Sequence, residues 1–146
     1  MKLIFTDIDG VLNSALGNGP YESDMEVDKL KLLKELIDVS KAEGIVITSD
    51  RRFSDVDMNH KMDVFDKYEI FVVGTLRRPN EDDMDDNRGK QIMDYINSSK
   101  EPIDNIVILD DLDDGISELF FEDFILVDRL QGFTSDVFVR ALKVLK

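Results

Sequence analysis

Two aspartates one residue apart, Asp7 and Asp9, stand between the apolar run Leu3-Ile4-Phe5 and Gly10. That order reads as a short buried strand feeding an acidic loop. Carboxylates at i and i+2 can both turn into one crevice once the chain leaves the pleat. Two like charges buried together are costly unless a cation neutralises them. A hard divalent ion such as Mg²⁺ prefers carboxylate and carbonyl oxygens and completes its shell with water and phosphate oxygen. Gly10 would let the backbone turn close to such an ion with no Cβ in the way. Taken alone, the pair also fits an Asx-type turn in an acidic loop.

A second apolar run, Ile106-Val107-Ile108-Leu109, ends directly in Asp110-Asp111, with Asp113 and Asp114 shortly after. If the two strands are parallel neighbours, these acids converge on Asp7 and Asp9, and a cation is needed to hold them. A solvated acidic loop capping a helix would use the same residues differently. Thr48, closing the run Ile45-Val46-Ile47, offers a hydroxyl, with the backbone N–H groups of Ser49 and Asp50 beside it. Those are suitable donors to a phosphate oxygen. Arg88 and Lys90 open a helical stretch ahead of the Ile106 run, where a cation offsets charge on a phosphorylated intermediate. For at least one of the two, a plain surface role must hold. Arg51-Arg52 either extends the phosphate grip or pairs with the acidic surface.

Composition narrows the chemistry further. The 146-residue chain has no cysteine, which removes thiolate nucleophiles, disulfides and Cys-type zinc sites. His60 is the sole histidine, so neither a His-rich metal site nor a His-based triad is readily built. The formal net charge of -14 repels polyanions and argues against broad contact with nucleic acid or anionic membrane. Hydrophobic residues at 42% suffice for a core. The N-terminal apolar run is broken by Asp7 and Asp9 too early for a signal peptide, and no stretch has the length of a membrane span. A soluble, cytoplasmic protein of one domain over residues 1–146 is expected.

The elements that must position these residues can be read from hydrophobic spacing. Val27, Leu30, Leu33, Leu36 and Ile37 recur at helical intervals between Met25 and about Lys41, with Gly44 as the stop. A helix around Phe53–Phe65, a strand Ile70–Val73 closed by Gly74, a loop over 75–88 and a helix Lys90–Ser98 follow. A fifth strand, Phe124–Val127, precedes a closing helix from Thr134 to about Leu145, with Thr134 or Ser135 as N-cap. Residues 13–24, holding Gly17, Gly19 and Pro20, read as a connection. Phe120, Phe121 and Phe124 are assigned to the core rather than to an interface. Continuous apolar strands alternating with amphipathic helices predict an α/β fold, its central parallel sheet of about five strands covered on both faces. Ligands of such sheets sit beyond the carboxyl ends of the strands, near a switch in strand order.

The four elements in this order resemble the haloacid dehalogenase (HAD) superfamily of aspartate-nucleophile phosphatases. The Asp-x-Asp-Gly hallmark is Asp7-Ile8-Asp9-Gly10, the strand-end Thr/Ser is Thr48, the Lys/Arg is Arg88 with Lys90 as second choice, and the acidic pair is Asp110-Asp111. Within it, the chain is most similar to the small cap-free HAD-like domain of Swiss-army-knife RNA repair proteins. The fragments Asp7 to Asn13, Ile45 to Arg52, Arg88 to Ile92, Val107 to Asp111 and Asp128 to Thr134 carry that likeness. That group usually has Ser-Ser-x-Trp-Arg after the second strand. Here the stretch is Thr48-Ser49-Asp50-Arg51-Arg52, and the absence of tryptophan takes away a stacking contact to a base.

The resemblance implies a three-layer Rossmann-like HAD fold without a cap and a Mg²⁺-dependent hydrolase of phosphomonoesters. Asp7 is the implied nucleophile and Asp9 the general acid/base. Asp7, the Asp9 main-chain carbonyl, Asp110 and Asp111 form the implied metal site, and Thr48, Ser49, Arg88 and Lys90 the phosphate-binding set. An uncapped site admits a small phosphorylated metabolite or nucleotide, which the charge favours, or a nucleic-acid end, which the family favours. A catalytically degenerate interaction module is the rival from another class. A receiver-like domain fits poorly, because the third strand ends in Gly74 with no acceptor aspartate.

Overall fold

The computed structural model describes residues 1–49 and 54–145. Five strands, β1 (Lys2–Thr6), β4 (Gly44–Ile47), β5 (Val72–Thr75), β6 (Asn105–Asp110) and β7 (Phe124–Leu126), form one parallel sheet in the order β5-β4-β1-β6-β7. The chain leaves β1 towards β4 and β5, then crosses to β6 and β7 on the other side. The order therefore switches at β1, where an open α/β sheet builds its ligand crevice. Helices α1 (Val27–Ser40), α2 (Asp55–Lys67), α3 (Arg88–Ser98), α4 (Ile116–Phe120) and α5 (Ser135–Val144) connect the strands, and a short hairpin, β2 (Tyr21–Glu22) with β3 (Met25–Glu26), precedes α1.

Period-two alternation explains why the strands are apolar throughout. Ile4, Ile45, Ile47, Val107 and Leu109 face a core shared with Leu30, Leu33 and Leu36 of α1, Phe65 of α2, and Val137 and Ala141 of α5. Leu3, Phe5, Val46, Ile106 and Ile108 face the opposite core with Ile92 of α3 and Ile116 and Phe120 of α4. Phe5 also meets the Tyr95 ring edge-on, at 5.8 Å and 88°. Three layers result, as expected, and no cap domain interrupts them among the described residues. No helix among the described residues is long and apolar enough to cross a membrane.

Several element boundaries differ from the sequence reading, each for a local reason. The connection over 13–24 contains β2, and α1 starts at Val27 because Met25-Glu26 pairs in the hairpin. Gly44 does not stop α1. Lys41 does, in the left-handed region at φ 62°, while Gly44 opens β4, where a Cβ would strike the Phe71 carbonyl. The third strand lies two residues later than expected, with Gly74 inside it rather than closing it. A register shift between Ile45 and Val46 pairs Val46 with Gly74, and a Cβ there would lie 2.5 Å from the Tyr95 hydroxyl. Helix α4 is too short for a periodicity to reveal. Helix α2 spans Asp55–Lys67 behind the N-cap Ser54, and Thr134 rather than Ser135 caps α5. Phe53 lies outside the described residues. Phe120 is in the core and Phe124 packs partly against it, but Phe121 is 79% exposed.

The close approach at Gly44 gives a test. Gly44→Ala should lower the urea midpoint with an unchanged m-value, at a cost of about 1–3 kcal/mol, because the nearest atom the methyl would displace is a backbone carbonyl oxygen.

Candidate active site

Sheet register alone brings three of the expected residues side by side. Thr6 pairs with Leu109 and with Ile47, and the ladders run one step further, through Asp7 N–H to Leu109 C=O at 3.0 Å and Thr48 N–H to Thr6 C=O at 2.9 Å. Asp7, Thr48 and Asp110 thus stand level at adjacent strand ends. By parity they continue the Leu3-Phe5, Val46 and Ile106-Ile108 series, on the side covered by α3 and α4. After Asp7 the chain makes one helical turn, with Val11 and Leu12 N–H groups donating to Ile8 C=O, and buried Ile8, Val11 and Leu12 pin it. Gly10 sits at φ +82°, and a Cβ there would lie 2.5 Å from Asp111 Oδ2. Both facts require glycine, and the close neighbour is this acid.

Carboxylate oxygens of Asp7, Asp110 and Asp111 all lie within 4.8 Å of one another. Asp7 and Asp110 are almost completely buried. Asp7 Oδ1 accepts from the Ser49 hydroxyl at 2.7 Å and from Ile8 N–H at 2.8 Å. Arg88 Nη1 donates to Asp110 Oδ2 at 2.7 Å and lies 3.4 Å from Asp7 Oδ2. Asp110 Oδ1 accepts from Leu112 N–H at 3.1 Å. Burial pushes the Asp7 carboxyl up, against the Ser49 hydrogen bond and the Arg88 charge. Asp110 is pushed up by burial first and by the Asp7 charge second, with Arg88 opposing both.

Among the described residues, three acids gather where one guanidinium reaches, that of Arg88 on Asp7 and Asp110, so acid outnumbers base in the site. Arg129, with Nε 3.7 Å from Asp111 Oδ2, is exposed and offsets little of that. An all-oxygen donor set with this surplus fits a hard divalent cation such as Mg²⁺. Beside it, the Thr48 hydroxyl is buried with no hydrogen-bond partner among the described residues. A buried unsatisfied hydroxyl costs about 1–3 kcal/mol, so the site stores an unused polar contact next to the acids.

Arg88 owes its place to the start of α3. Asn87 caps the helix through Lys90 N–H, Arg88 N–H donates to Asp114 Oδ2 at 3.0 Å, and Gly89 N–H donates to Asp114 C=O at 3.0 Å. Gly89 packs so closely on Gly115 that a Cβ would strike its carbonyl. Lys90, about 200° further round the helix, is exposed. Only Arg88 of the two candidate cations therefore reaches the acids. Asp113 and Asp114 serve helix termini, the former accepting from Ser117 N–H and Oγ at 2.9 and 2.5 Å. Asp9 is half-buried and its carboxylate stands outside the three-acid group, accepting from Asn13 Nδ2 at 2.8 Å. Asn13, four residues after Asp9, carried no role in the sequence reading beyond its place in the first motif. The Asp50 N–H and Arg51-Arg52 lie outside the described residues.

Against known proteins, the model of the HAD domain in Swiss Army Knife RNA repair proteins matches residues 3–138, from β1 into α5. No curated protein matches the chain.

Charge crowding predicts how the metal-free protein responds to pH. Asp110 has a folded pKa raised above its unfolded one, so the folded state holds the extra proton and loses stability as pH rises from about 4 to about 7. In EDTA, Asp110→Asn should therefore gain stability relative to wild type across that window, with the two converging near pH 4, as followed by thermal melts. Added Mg²⁺ should stabilise the wild type at pH 7.5 by about 2.7 kcal/mol at a hundredfold excess over Kd, read as a rise in Tm, and the variant much less.

Proposed function

From the premise that this chain belongs to the family of HAD domains found in Swiss Army Knife RNA repair proteins, we propose that it is a Mg²⁺-dependent phosphatase working through an aspartyl-phosphate. The observation that carries this reading is the group of Asp7, Asp110 and Asp111, its first two members buried and both in reach of the Arg88 guanidinium. Asp7, Asp110 and Asp111, with the Asp9 main-chain carbonyl, would hold the metal. Bound there, Mg²⁺ supplies charge neutralisation for the acids and for the phosphoryl oxygens.

A carboxylate oxygen of Asp7 attacks phosphorus as the bond to the leaving oxygen breaks, and Asp9 gives its proton to that oxygen. In the second half, Asp9 takes a proton from water. The water oxygen bonds to phosphorus, the Asp7–phosphorus bond breaks, and phosphate leaves with both side chains restored. The Ser49 hydroxyl and Ile8 N–H hold Asp7 Oδ1, which fixes the carboxylate plane for attack. Arg88 faces the developing charge, and the Thr48 hydroxyl, without a partner among the described residues, donates to a phosphoryl oxygen.

A small phosphorylated metabolite or nucleotide fits the net charge of -14 and the absence of tryptophan. The family's place in RNA repair proteins supports a second reading, a phosphorylated nucleic-acid end.

Purified protein should hydrolyse p-nitrophenyl phosphate in Mg²⁺, stop in EDTA and recover on Mg²⁺ addition. Asp7→Asn should reduce the rate by at least about 10³-fold while remaining folded. Wild-type activity in that variant, or indifference to EDTA, would remove the assignment. Rates on a panel of phosphorylated metabolites, nucleotides and 5′- or 3′-phosphorylated oligonucleotides would then choose between the two substrate classes.

A further inference from the structure

We propose that Asn13 is the positioning residue for the Asp9 carboxyl group, an assignment that rests on the reading of Asp9 as general acid/base. The Asn13 side-chain amide is used on every polar edge. Its Nδ2 donates to Asp9 Oδ1 at 2.8 Å and to Asp24 C=O at 3.0 Å, and its Oδ1 accepts from Gly10 N–H at 2.9 Å. Two acceptors face the NH₂ and one donor faces the oxygen, so the amide orientation is fixed by its surroundings. A flipped amide would set oxygen against oxygen and N–H against N–H. Only a primary amide of this length satisfies all three partners. Aspartate would place a carboxylate against two acceptors, and serine or alanine would not reach.

Those three partners belong to the parts whose relative placement decides where a proton is delivered. Gly10 holds the loop against Asp111, Asp9 carries the proton, and Asp24 lies in the β2–β3 turn. That turn is itself anchored. Ser23 and Asp24 adopt φ 49° and 61°, and Lys61, a nearly completely buried lysine of α2, donates from Nζ to Ser23 C=O at 2.6 Å. Asp9 is thereby tied through one amide to a support on α2, outside its own loop. Proton transfer needs the leaving oxygen within hydrogen-bond reach of this carboxyl, so the bond from Asn13 that restrains χ1 and χ2 bears directly on it.

A loss of orientation differs from general damage in which substrates suffer. Departure of an alkoxide needs the proton, whereas p-nitrophenolate leaves without much help. The ratio kcat/KM reports steps through cleavage of the phosphorus–oxygen bond and so isolates the acid role from the later base role. Asn13→Ala should lower kcat/KM about 10–100-fold for benzyl phosphate but less than about 3-fold for p-nitrophenyl phosphate. Asn13→Ser, which keeps a hydroxyl but cannot reach Asp9, should show the same selective loss if alanine impairs folding. In an Asp9→Asn background, Asn13→Ala should add no further discrimination between the substrates. Equal losses on both substrates in folded Asn13 variants would overturn the assignment while leaving the phosphatase reading intact. Equal losses in Asp9→Asn itself would instead remove the acid role of Asp9, and the assignment with it.

Discussion

Like charge buried at the carboxyl edge of β1 and β6 is the constraint on which the rest of the structure depends. Asp7 and Asp110 are placed level by parallel pairing, and Asp111 is brought into contact range with both. Pairing of this kind would repel itself open in an isolated hairpin or a loop. It persists because apolar residues above and below the strands hold the backbone regardless of what the strand ends carry. Full burial of a Leu, Ile or Phe side chain contributes about 1.5–3 kcal/mol, and β1 alone buries Leu3, Ile4 and Phe5 completely. The two cores are thus the source of the free energy that the acids consume.

Close approach is the second half of the same problem. Gly10 lets the first loop lie against Asp111, and Gly89 lets α3 lie against Gly115, which brings Arg88 between Asp7 and Asp110. A Cβ at either position would push one charged group away from the others. Among the described residues the three acids outnumber Arg88, an imbalance that a divalent cation held there would offset.

Much of this was legible in the residues. The strands are announced by apolar runs that lead to Asp7, Thr48 and Asp110, and runs buried on both faces imply helices on both faces; the order of the strands in the sheet is not announced. The choice of Arg88 over Lys90 could have followed from helix geometry, since two residues apart on a helix cannot share a face. Features that depended on non-local contact were not legible. Gly44 and Gly74 look like terminators in sequence, yet each is a strand residue approached by Phe71 or Tyr95 from another element. Asn13 was invisible for a similar reason. Its partners include Asp24, eleven residues on, and no spacing rule points to that carbonyl. Asp113 and Asp114 take the helix-capping role that the sequence left open for the acidic loop, because acids near a cluster in sequence can belong to helix ends in space.

The net charge of -14 and the family's place in RNA repair pull the substrate in different directions, and the range of each force reconciles them. At physiological salt the Debye length is about 8 Å, so the overall field acts on whatever lies along the surface near the site and little beyond it. A duplex laid across the protein would bring many phosphates into that range and be repelled in proportion. A single terminal phosphate would meet chiefly the local groups, which among the described residues are Arg88, the Thr48 hydroxyl and the three acids with any cation they hold. The acidic surface weighs against extended contact with a polyanion, and it leaves a phosphoryl group that enters end-on governed by the cluster alone.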